Sequence, residues 1–336
     1  MEDVSREIRL VARPQGFPGE DLFEVAEAPI PEPADGQLLV RNAYFSVDPY
    51  MRPRMNDVRS YVAPFTLGEA MIGGAVGQVV VSRNAAHPEG SWVTHSLGWR
   101  EWALSDGSGM RRVDASVAPV STALGVLGMP GLTAYYGLFD LGEPKEGETV
   151  FVSCAAGAVG SMAGQMAKIA GCRVIGSAGS EEKLAWLREL GLDAVFNYRE
   201  QRVREALAEL SPEGIDIYFD NVGGDHLEAA IGALRIHGRV VACGSISRYN
   251  DVEPTPGPRN MFMVVTKRLR IQGYIISDNF DRFGAFYTQA VEWLREGRLQ
   301  YRETVIEGIE NAPRAFLGLL RGENIGKMLV KVGPAE

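Results

Sequence analysis

Cysteine is scarce in this chain of 336 residues, which contains three of them. A disulfide framework needs paired cysteines, usually in a small secreted domain, so a long chain with an odd number does not predict one. No histidine or asparagine stands in a recognisable partner motif for a cysteine nucleophile. We therefore interpret the three as small buried residues in strands or turns: Cys154, Cys172 and Cys243.

Histidine is almost as scarce. A zinc site needs three or four converging nitrogen or sulfur ligands, often recognisable as C-x-x-C or H-E-x-x-H spacing. The histidines are scattered and none has such a neighbour: His87, His95, His226 and His237. The sequence therefore predicts no metal site.

Basic tracts, long apolar runs and targeting segments are also missing. The formal net charge of -9 at pH 7 counts against non-specific nucleic-acid binding, which depends on clustered lysine and arginine. We find no run of about 18 apolar residues and no basic segment leading into an apolar one, so neither a membrane span nor a secretory signal is predicted. We expect a cytoplasmic protein with a small-molecule ligand, and no membrane or nucleic-acid partner.

A glycine-rich bend is the most informative segment that the chain does contain. It joins an apolar strand pattern beginning at Thr149 to a small-residue helix pattern beginning near Val159. Ala155, Gly157 and Gly160 occupy the three small positions of the G-x-G-x-x-G fingerprint, which permit a tight turn, close approach of a pyrophosphate and close helix packing. The helix would aim free N–H groups and its positive dipole end at the phosphates. A buried glycine bend without a ligand is the alternative.

Apolar runs alternate with amphipathic segments after this bend. Strands are predicted over 173–177, 193–198, 215–220, 238–244 and 269–276, and helices over 181–190, 200–210 and 225–234. Strand and helix in alternation imply a parallel sheet with right-handed crossovers. The predicted fold class is α/β, with a doubly wound parallel sheet of Rossmann type.

The end of the second strand indicates which cofactor is bound. An NAD site places an acidic residue about 20 residues beyond the glycines, to accept from the ribose hydroxyls. Residues 176–180 contain no carboxylate, whereas Lys183 follows and Tyr198 ends the third strand nearby. A cation with hydroxyl donors suits a 2′-phosphate, so we predict NADPH rather than NADH. The alternative is that Lys183 is a solvated helix lysine that pairs with Glu181 or Glu182.

Six segments in this order resemble one known family. They are Ser46-Val-Asp-Pro-Tyr-Met-Arg52, Gly128-Met-Pro-Gly-Leu-Thr-Ala-Tyr135, Ala155-Ala-Gly-Ala-Val-Gly160, Phe219-Asp-Asn-Val-Gly-Gly224, Cys243-Gly-Ser-Ile-Ser-Arg-Tyr-Asn250 and Asn324-Ile-Gly-Lys327. Together they resemble the zinc-independent medium-chain dehydrogenases/reductases, in the prostaglandin reductase, or leukotriene B4 12-hydroxydehydrogenase, branch. That branch also contains plant double-bond reductases and bacterial curcumin reductases.

The resemblance implies a domain plan, which the length of the chain also favours. Residues 1–124 would form a GroES-like β-rich catalytic domain and residues 125–297 the Rossmann NADPH-binding domain. Residues 298–336 would return to the first domain. A substrate would then bind in the cleft between the domains, and a homodimer is expected.

The resemblance also implies which residues form the cofactor site. Residues of the glycine turn would face the pyrophosphate, and Lys183 and Tyr198 would face the 2′-phosphate. The full implied set is Ala156, Gly157, Ala158, Val159, Gly160, Lys183, Tyr198, Asn221, Cys243, Gly244, Ser245, Ile246, Tyr249, Tyr274, Ile275, Ile276 and Asn324. Two of these have structural alternatives, since Asn221 would serve equally as a helix cap and Asn324 as a turn residue.

The chemistry that the resemblance implies is reduction of the carbon–carbon double bond of an α,β-unsaturated ketone or aldehyde. The resulting enolate needs hydrogen-bond donors where its charge develops. Tyr249 is the first candidate for donor or proton relay, and Tyr50 is the second. Arg52 and Trp99 are expected to line the substrate pocket with Tyr50. Packing roles for both tyrosines, with solvent as the proton source, remain the alternative.

Two other functions stay open at this stage. One is an NADPH quinone oxidoreductase of the same superfamily, which only turnover of quinones against enones would distinguish. The other is a non-catalytic NADPH-binding redox sensor, which would bind the cofactor without oxidising it.

Overall fold

The computed structural model describes residues 4–335, which separate into two compact units. The β-rich unit contains the chain up to Gly125 and again from Glu303, and the parallel-sheet unit contains Val126–Arg302. Residues 298–302 thus lie in the parallel-sheet unit, beyond the boundary at 297 that the resemblance implies. Hydrogen bonds hold them there, since Gln300 exchanges two with Gln165 and Arg302 pairs with Glu189 at 2.7 Å.

The described residues form strands and helices in the following chain order. The strands are β1 (Val4–Leu10), β2 (Phe23–Pro29), β3 (Leu38–Ser46), β4 (Ala75–Ser82), β5 (Trp92–His95), β6 (Trp102–Ser105), β7 (Arg111–Val113), β8 (Thr149–Val152), β9 (Arg173–Ala178), β10 (Ala194–Asn197), β11 (Ile215–Asp220), β12 (Leu234–Ala242), β13 (Arg270–Gly273), β14 (Glu303–Glu307) and β15 (Lys327–Lys331). The α-helices are α1 (Met51–Arg54), α2 (Met129–Tyr135), α3 (Ala158–Ile169), α4 (Glu181–Glu189), α5 (Val203–Leu210), α6 (Gly224–Ala233), α7 (Phe262–Thr266), α8 (Phe283–Arg295) and α9 (Ala312–Arg321). A π-helix, Tyr136–Gly142, continues α2.

The parallel-sheet unit confirms the predicted fold class. Its strands lie in the order β10-β9-β8-β11-β12-β13, and every pairing is parallel. Counted from β8, this is the order 3-2-1-4-5-6 of doubly wound dinucleotide-binding sheets. The glycine-rich bend therefore follows the first strand of the unit, at the carboxyl edge of the sheet.

Strand ends differ most from the sequence prediction at β12 and β13. β12 begins at Leu234, four positions before the expected Gly238, although His237 inside it has a positive φ of 66°. β13 ends at Gly273, so Tyr274 and the isoleucines after it lie beyond the sheet edge. The segment 243–249 likewise follows the end of β12, which is where open α/β sheets bind ligands.

The β-rich unit is built on a seven-stranded sheet. Its order is β14-β15-β3-β4-β5-β7, with β6 paired to β3, and β15 runs antiparallel to β3. The C-terminal strands thus join this sheet, as the resemblance implies. No helix among residues 4–335 is long and apolar enough to cross a membrane.

Candidate functional site

The structure distributes the sequence-predicted site residues over the two units. Tyr50, Arg52, Trp99 and Asn324 belong to the β-rich unit, and all the others belong to the parallel-sheet unit. The others lie at or beyond the carboxyl ends of its strands.

The glycine turn connects β8 to α3 and requires small residues. Cys154 adopts a left-handed φ of 50°, and Gly157 is the extended N-cap of α3. A Cβ on Gly160 would lie 2.3 Å from the Cys154 carbonyl oxygen and 2.9 Å from the Ala155 Cα. Gly160 therefore permits the helix to pack directly on the turn. The first N–H groups of such a helix lack intrahelical partners and are available to an anion.

A buried polar network holds the turns after β8, β11 and β12 together. The Ser153 hydroxyl accepts from the Asn221 backbone N–H at 3.0 Å, and the Asn221 side-chain amide donates to the Ser153 carbonyl at 2.8 Å. The Asp220 carbonyl accepts from the backbone N–H groups of Cys243 and Gly244. Asn221 thus bridges two strand ends and does not cap α6, whose N-cap is Gly223.

The Asp220 carboxylate organises the backbone of the same network. It accepts from the Tyr218 hydroxyl at 2.7 Å and from the backbone N–H groups of Val222 and Gly223 at 2.9 and 2.7 Å. Burial raises the pKa of Asp220, against the lowering effect of these hydrogen bonds. The Asp220 carboxylate therefore stabilises the turn after β11 through these three hydrogen bonds.

A cluster of polar groups surrounds Gly179 at the carboxyl end of β9. A Cβ on Gly179 would lie 2.9 Å from the Tyr198 hydroxyl and 3.1 Å from Arg199 Nε. The Ser180 hydroxyl caps α4 by accepting from the Lys183 backbone N–H. Burial lowers the pKa of the Lys183 ammonium, and the charge of Arg199 lowers it further.

Arg199 was missed in the sequence analysis although a signal for it existed. It directly follows Tyr198 at the end of the third strand, where the carboxyl edge of the sheet gathers ligand-binding side chains. Arg199 and the phenol beside Gly179, with Lys183 in the first turn of the helix that follows, can hold a dianionic group such as a phosphate monoester.

Tyr249 lies over the turn that follows β12. Its hydroxyl oxygen accepts from the Ser245 backbone N–H at 3.4 Å and would lie 3.5 Å from a Cβ on Gly244. Burial raises the pKa of Tyr249, so the phenol keeps its proton at neutral pH. Because its oxygen accepts from the backbone, the proton remains available for another acceptor.

Tyr274 has a structural role in the same unit. Its hydroxyl donates to the Thr133 carbonyl at 2.7 Å and packs so closely on Gly137 that a Cβ there would approach it to 2.5 Å. Ile275 and Ile276 follow it into the next segment. The position of this stretch is therefore set by the helices beside it.

The cysteines differ from their sequence interpretation at one position. Cys172 is buried and Cys243 is half-buried, and burial raises their thiol pKa values to about 11 and about 12. Cys154 is exposed, which corrects the expectation that all three are buried. This residue lies in the left-handed turn after β8.

Tyr50 lies in the β-rich unit, between β3 and α1 and beside a buried ion pair. Lys327 Nζ lies 3.2 Å from Asp48 Oδ1 and donates to the Val47 carbonyl at 2.9 Å, while the Ser46 hydroxyl donates to the other Asp48 oxygen. Burial and the charge of Asp48 raise the pKa of Tyr50, and the charge of Arg54 opposes this rise. This network anchors the backbone that carries Tyr50.

Two residues expected to line the substrate pocket are instead fully buried. Trp99 has 0% exposure and stacks between Phe23 and Phe45 in the core. Arg52 has 1% exposure and donates to Asn56 Oδ1 and to the Gly16 carbonyl. Both positions therefore stabilise the unit, because neither side chain has free surface.

Asn324 has the geometry of a turn residue. Its side-chain amide donates to the Gly326 carbonyl at 2.7 Å, and Gly326 has a positive φ of 66°. The amide thus closes the turn that leads into β15.

The histidines do not form a metal site. Within residues 4–335 no three histidine, cysteine, aspartate or glutamate side chains are placed to hold a metal ion. His95 and His226 are buried in different units, and burial lowers the pKa of each to about 4.

Comparisons with known proteins cover nearly the whole chain. Residues 6–113 match a family model described as the N-terminal domain of oxidoreductase, and residues 158–296 match one described as zinc-binding dehydrogenase. The second description names a metal for which the described residues supply no ligand set.

Individual relatives are similar over their full lengths. The NADPH-dependent curcumin reductase of Escherichia coli (strain K12) is 42% identical, across 96% of this chain and 95% of its own. The NADP(+)-dependent 2-alkenal reductase of Nicotiana tabacum is 40% identical, across 98% of each chain. The crystal structure of CurA from Vibrio vulnificus in complex with NADPH superposes with a TM-score of 0.94, at 44% identity over 98% of this chain and 99% of that one.

Proposed function

The chain belongs to the zinc-independent medium-chain dehydrogenases/reductases of the prostaglandin reductase and curcumin reductase type, and from this membership we propose that it is an NADPH-dependent enone reductase. It reduces the carbon–carbon double bond of α,β-unsaturated ketones or aldehydes. The structural observation that supports the proposal is the placement of Arg199 and the Tyr198 hydroxyl beside Gly179, at the sheet edge that also carries the glycine turn.

Backbone groups of the glycine turn form the first part of the proposed cofactor site. Residues 156–160 receive the pyrophosphate, because α3 begins here and side chains larger than those present would fill the turn. Asn221 and the turn 243–246 continue the cradle along the sheet edge, together with Tyr249 and the stretch 274–276. We propose Asn324 as a further cofactor contact.

The 2′-phosphate selects NADPH over NADH. Lys183 and Tyr198 bind it, and Arg199 adds a second cation. Charge-assisted hydrogen bonds are about twice as strong as neutral ones, so the discrimination rests on these residues. No carboxylate stands in the segment 176–180 to repel the phosphate.

When bound, NADPH would supply a hydride to the β-carbon of the enone, and negative charge would develop on the carbonyl oxygen as an enolate. Tyr249 donates its hydroxyl proton as a hydrogen bond to the developing enolate oxygen, and Tyr50 is the second donor. The Tyr249 phenol oxygen already accepts a bond from the Ser245 N–H, so its proton is free to face the substrate. The α-carbon takes its proton from one of these tyrosines or from water.

We also propose a cytoplasmic homodimer with the domain plan given by the resemblance, except that residues 298–302 belong to the parallel-sheet unit. The three free cysteines suit a reducing compartment. β13 is an edge strand exposed at all four residues, and Phe262 and Val265 on the neighbouring α7 are 74% and 68% exposed. An exposed edge strand with exposed apolar side chains on the preceding helix favours antiparallel pairing with a second copy about a two-fold axis. Light scattering on the purified protein measures the mass, and a monomer at micromolar concentration would refute this part.

A substrate panel tests the function. NADPH oxidation is measured with simple enones, alkenals, quinones and saturated ketones, and the products are identified by mass spectrometry. We expect saturated ketones and aldehydes from the first two classes. Turnover of quinones alone would indicate the quinone oxidoreductase, and cofactor binding without any turnover would indicate the redox sensor.

A further inference from the structure

His226 is a buried histidine that takes no part in the proposed chemistry. It lies in the first turn of α6 and is 6% exposed. Among residues 4–335 its Nε2 atom has no hydrogen-bond partner, and no metal site includes it. Burial lowers its pKa to about 4, so the ring is uncharged at neutral pH. The imidazole therefore acts on its surroundings mainly as a packed ring.

Two aromatic side chains pack against this ring. Phe151 stacks with it at 6.4 Å between ring centres, and Tyr198 meets it edge to face at 5.3 Å with an angle of 72° between the planes. Edge-to-face rings at such distances attract each other beyond the area that they bury. Phe151 has 0% exposure and belongs to the core, whereas Tyr198 is 40% exposed. His226 thus connects a core residue to a residue at the surface.

The backbone of Tyr198 does not by itself set the direction of its side chain. Its N–H donates to the Ala178 carbonyl at 3.2 Å, which fixes the backbone at the carboxyl end of the sheet. A phenol with this much exposure can still rotate about its side-chain torsions, and ordering it costs entropy. In the structure the hydroxyl lies beside Gly179, 2.9 Å from the position of a Cβ there. The ring contact with His226 favours this rotamer over the others.

We propose that His226 is a positioning residue for NADPH, which holds the Tyr198 ring so that its hydroxyl meets the 2′-phosphate. A donor that is already oriented saves the entropy that binding would otherwise cost. Because His226 acts through the Tyr198 hydroxyl, its effect falls on NADPH and not on NADH, which lacks the phosphate. The inference rests on the proposed 2′-phosphate site and adds a residue behind it.

Leu227 supplies a matched control. It follows His226 in α6 and packs against the core cluster that contains Phe151. Leu227→Ala therefore removes packing from the same turn of the helix and leaves the contact between His226 and Tyr198 in place. His226→Phe is the conservative variant, since it keeps an aromatic ring without the imidazole nitrogens.

The test is a double-mutant cycle between His226→Ala and Tyr198→Phe, with the Kd values for NADPH and NADH measured by fluorescence titration. We expect His226→Ala to raise the Kd for NADPH roughly fivefold and to change the Kd for NADH less than about twofold, because the lost ring contact orients only the phosphate donor. In the Tyr198→Phe background, which lacks that hydroxyl, the same change should have almost no further effect on the ratio of the two Kd values. His226→Phe and Leu227→Ala should each keep this ratio within about twofold of the wild type, since both retain a ring against Tyr198.

Four results would overturn the inference. They are an unchanged Kd for NADPH in His226→Ala, an equal weakening of both cofactors in that variant, additive losses in the double variant, and the same loss of preference in Leu227→Ala. If His226→Ala does not fold, His226→Leu replaces it in the cycle, since it fills more of the space and still lacks a ring. A wild-type protein that binds NADPH and NADH equally would refute the 2′-phosphate site itself, and one that reduces no enone would refute the proposed reaction, so the failures are distinguishable.

Discussion

At the scale of single residues, the proposed phosphate site depends on side chains that follow two neighbouring strands, β9 and β10. Lys183 and Tyr198 were candidates from the sequence, because Lys183 is in the first turn of the helix after β9 and Tyr198 directly follows β10. Arg199 was missed because its approach to Gly179 depends on how β9 and β10 pair.

Lys183→Ala should raise the KM for NADPH at least about tenfold and leave the KM for NADH little changed, because a charge-assisted bond of about 1.5 to 3 kcal/mol is lost. Steady-state kinetics with both cofactors measures this. Lys168→Ala is the control, since Lys168 pairs with Asp193 at 2.8 Å on the surface of the same unit. Equal effects of Lys183→Ala on the two cofactors would contradict the assignment of the 2′-phosphate site.

Tyr249→Phe should lower kcat for an enone by roughly tenfold, at the lower end of the loss expected for one preorganised donor, with little change in NADPH affinity. Phenylalanine keeps the ring and its packing, so the loss would report on the hydroxyl. Steady-state kinetics and a fluorescence titration with NADPH measure the two quantities. An unchanged kcat across several enones would assign Tyr249 a packing role.

At the scale of elements, strand existence was easier to predict than strand ends. β11 has the bounds expected from its apolar run, Ile215–Asp220, because that run is buried between two strands. β12 starts earlier than expected because Leu234 pairs with Ile215 before the chain turns through His237. Trp99 was expected to line the substrate pocket but is buried in the core. No sequence feature distinguishes a tryptophan in a pocket wall from a tryptophan in a core.

The ion pair that links β15 to the segment after β3 should be important for stability. Lys327→Met leaves the Asp48 carboxylate buried without its cation, so the free energy of unfolding should fall by about 3 to 5 kcal/mol. Lys331→Met on the same strand is the control, because Lys331 pairs with an exposed glutamate and its loss should cost less than about 1 kcal/mol. Urea denaturation measures both, and similar losses in the two variants would contradict the account.

At the scale of the whole molecule, the parallel sheet could be predicted because strand and helix patterns alternate over a long part of the chain. The β-rich unit could be predicted because the family resemblance also extends over most of the sequence. Full-length similarity to curcumin and prostaglandin reductases confirms that resemblance. The sequence contains no comparable signal for the natural substrate, since the shape of the substrate pocket depends on side chains that loops bring together.

Stability should fall in mild acid because both units bury a neutral histidine. The pKa values of His95 and His226 are about 4 in the folded protein, against an ordinary 6.5. The unfolded chain therefore takes up protons between pH 6.5 and pH 4 that the folded chain does not. The free energy of unfolding should decrease by up to about 1.4 kcal/mol per pH unit for each histidine.

Urea denaturation across this pH range measures the effect. His226→Phe, which keeps a ring beside Phe151, should remove the contribution of His226 and flatten the profile. An equally steep profile in the variant would show that His226 is not the group responsible.

The destination of the transferred hydride tests the central claim most directly. The protein is incubated with a simple enone and NADPH deuterated at the transferable position, and the product is analysed by NMR. The account predicts a saturated ketone with deuterium on its β-carbon and an intact carbonyl group. An allylic alcohol with deuterium on the former carbonyl carbon, or an enone recovered unchanged after full incubation, would contradict it.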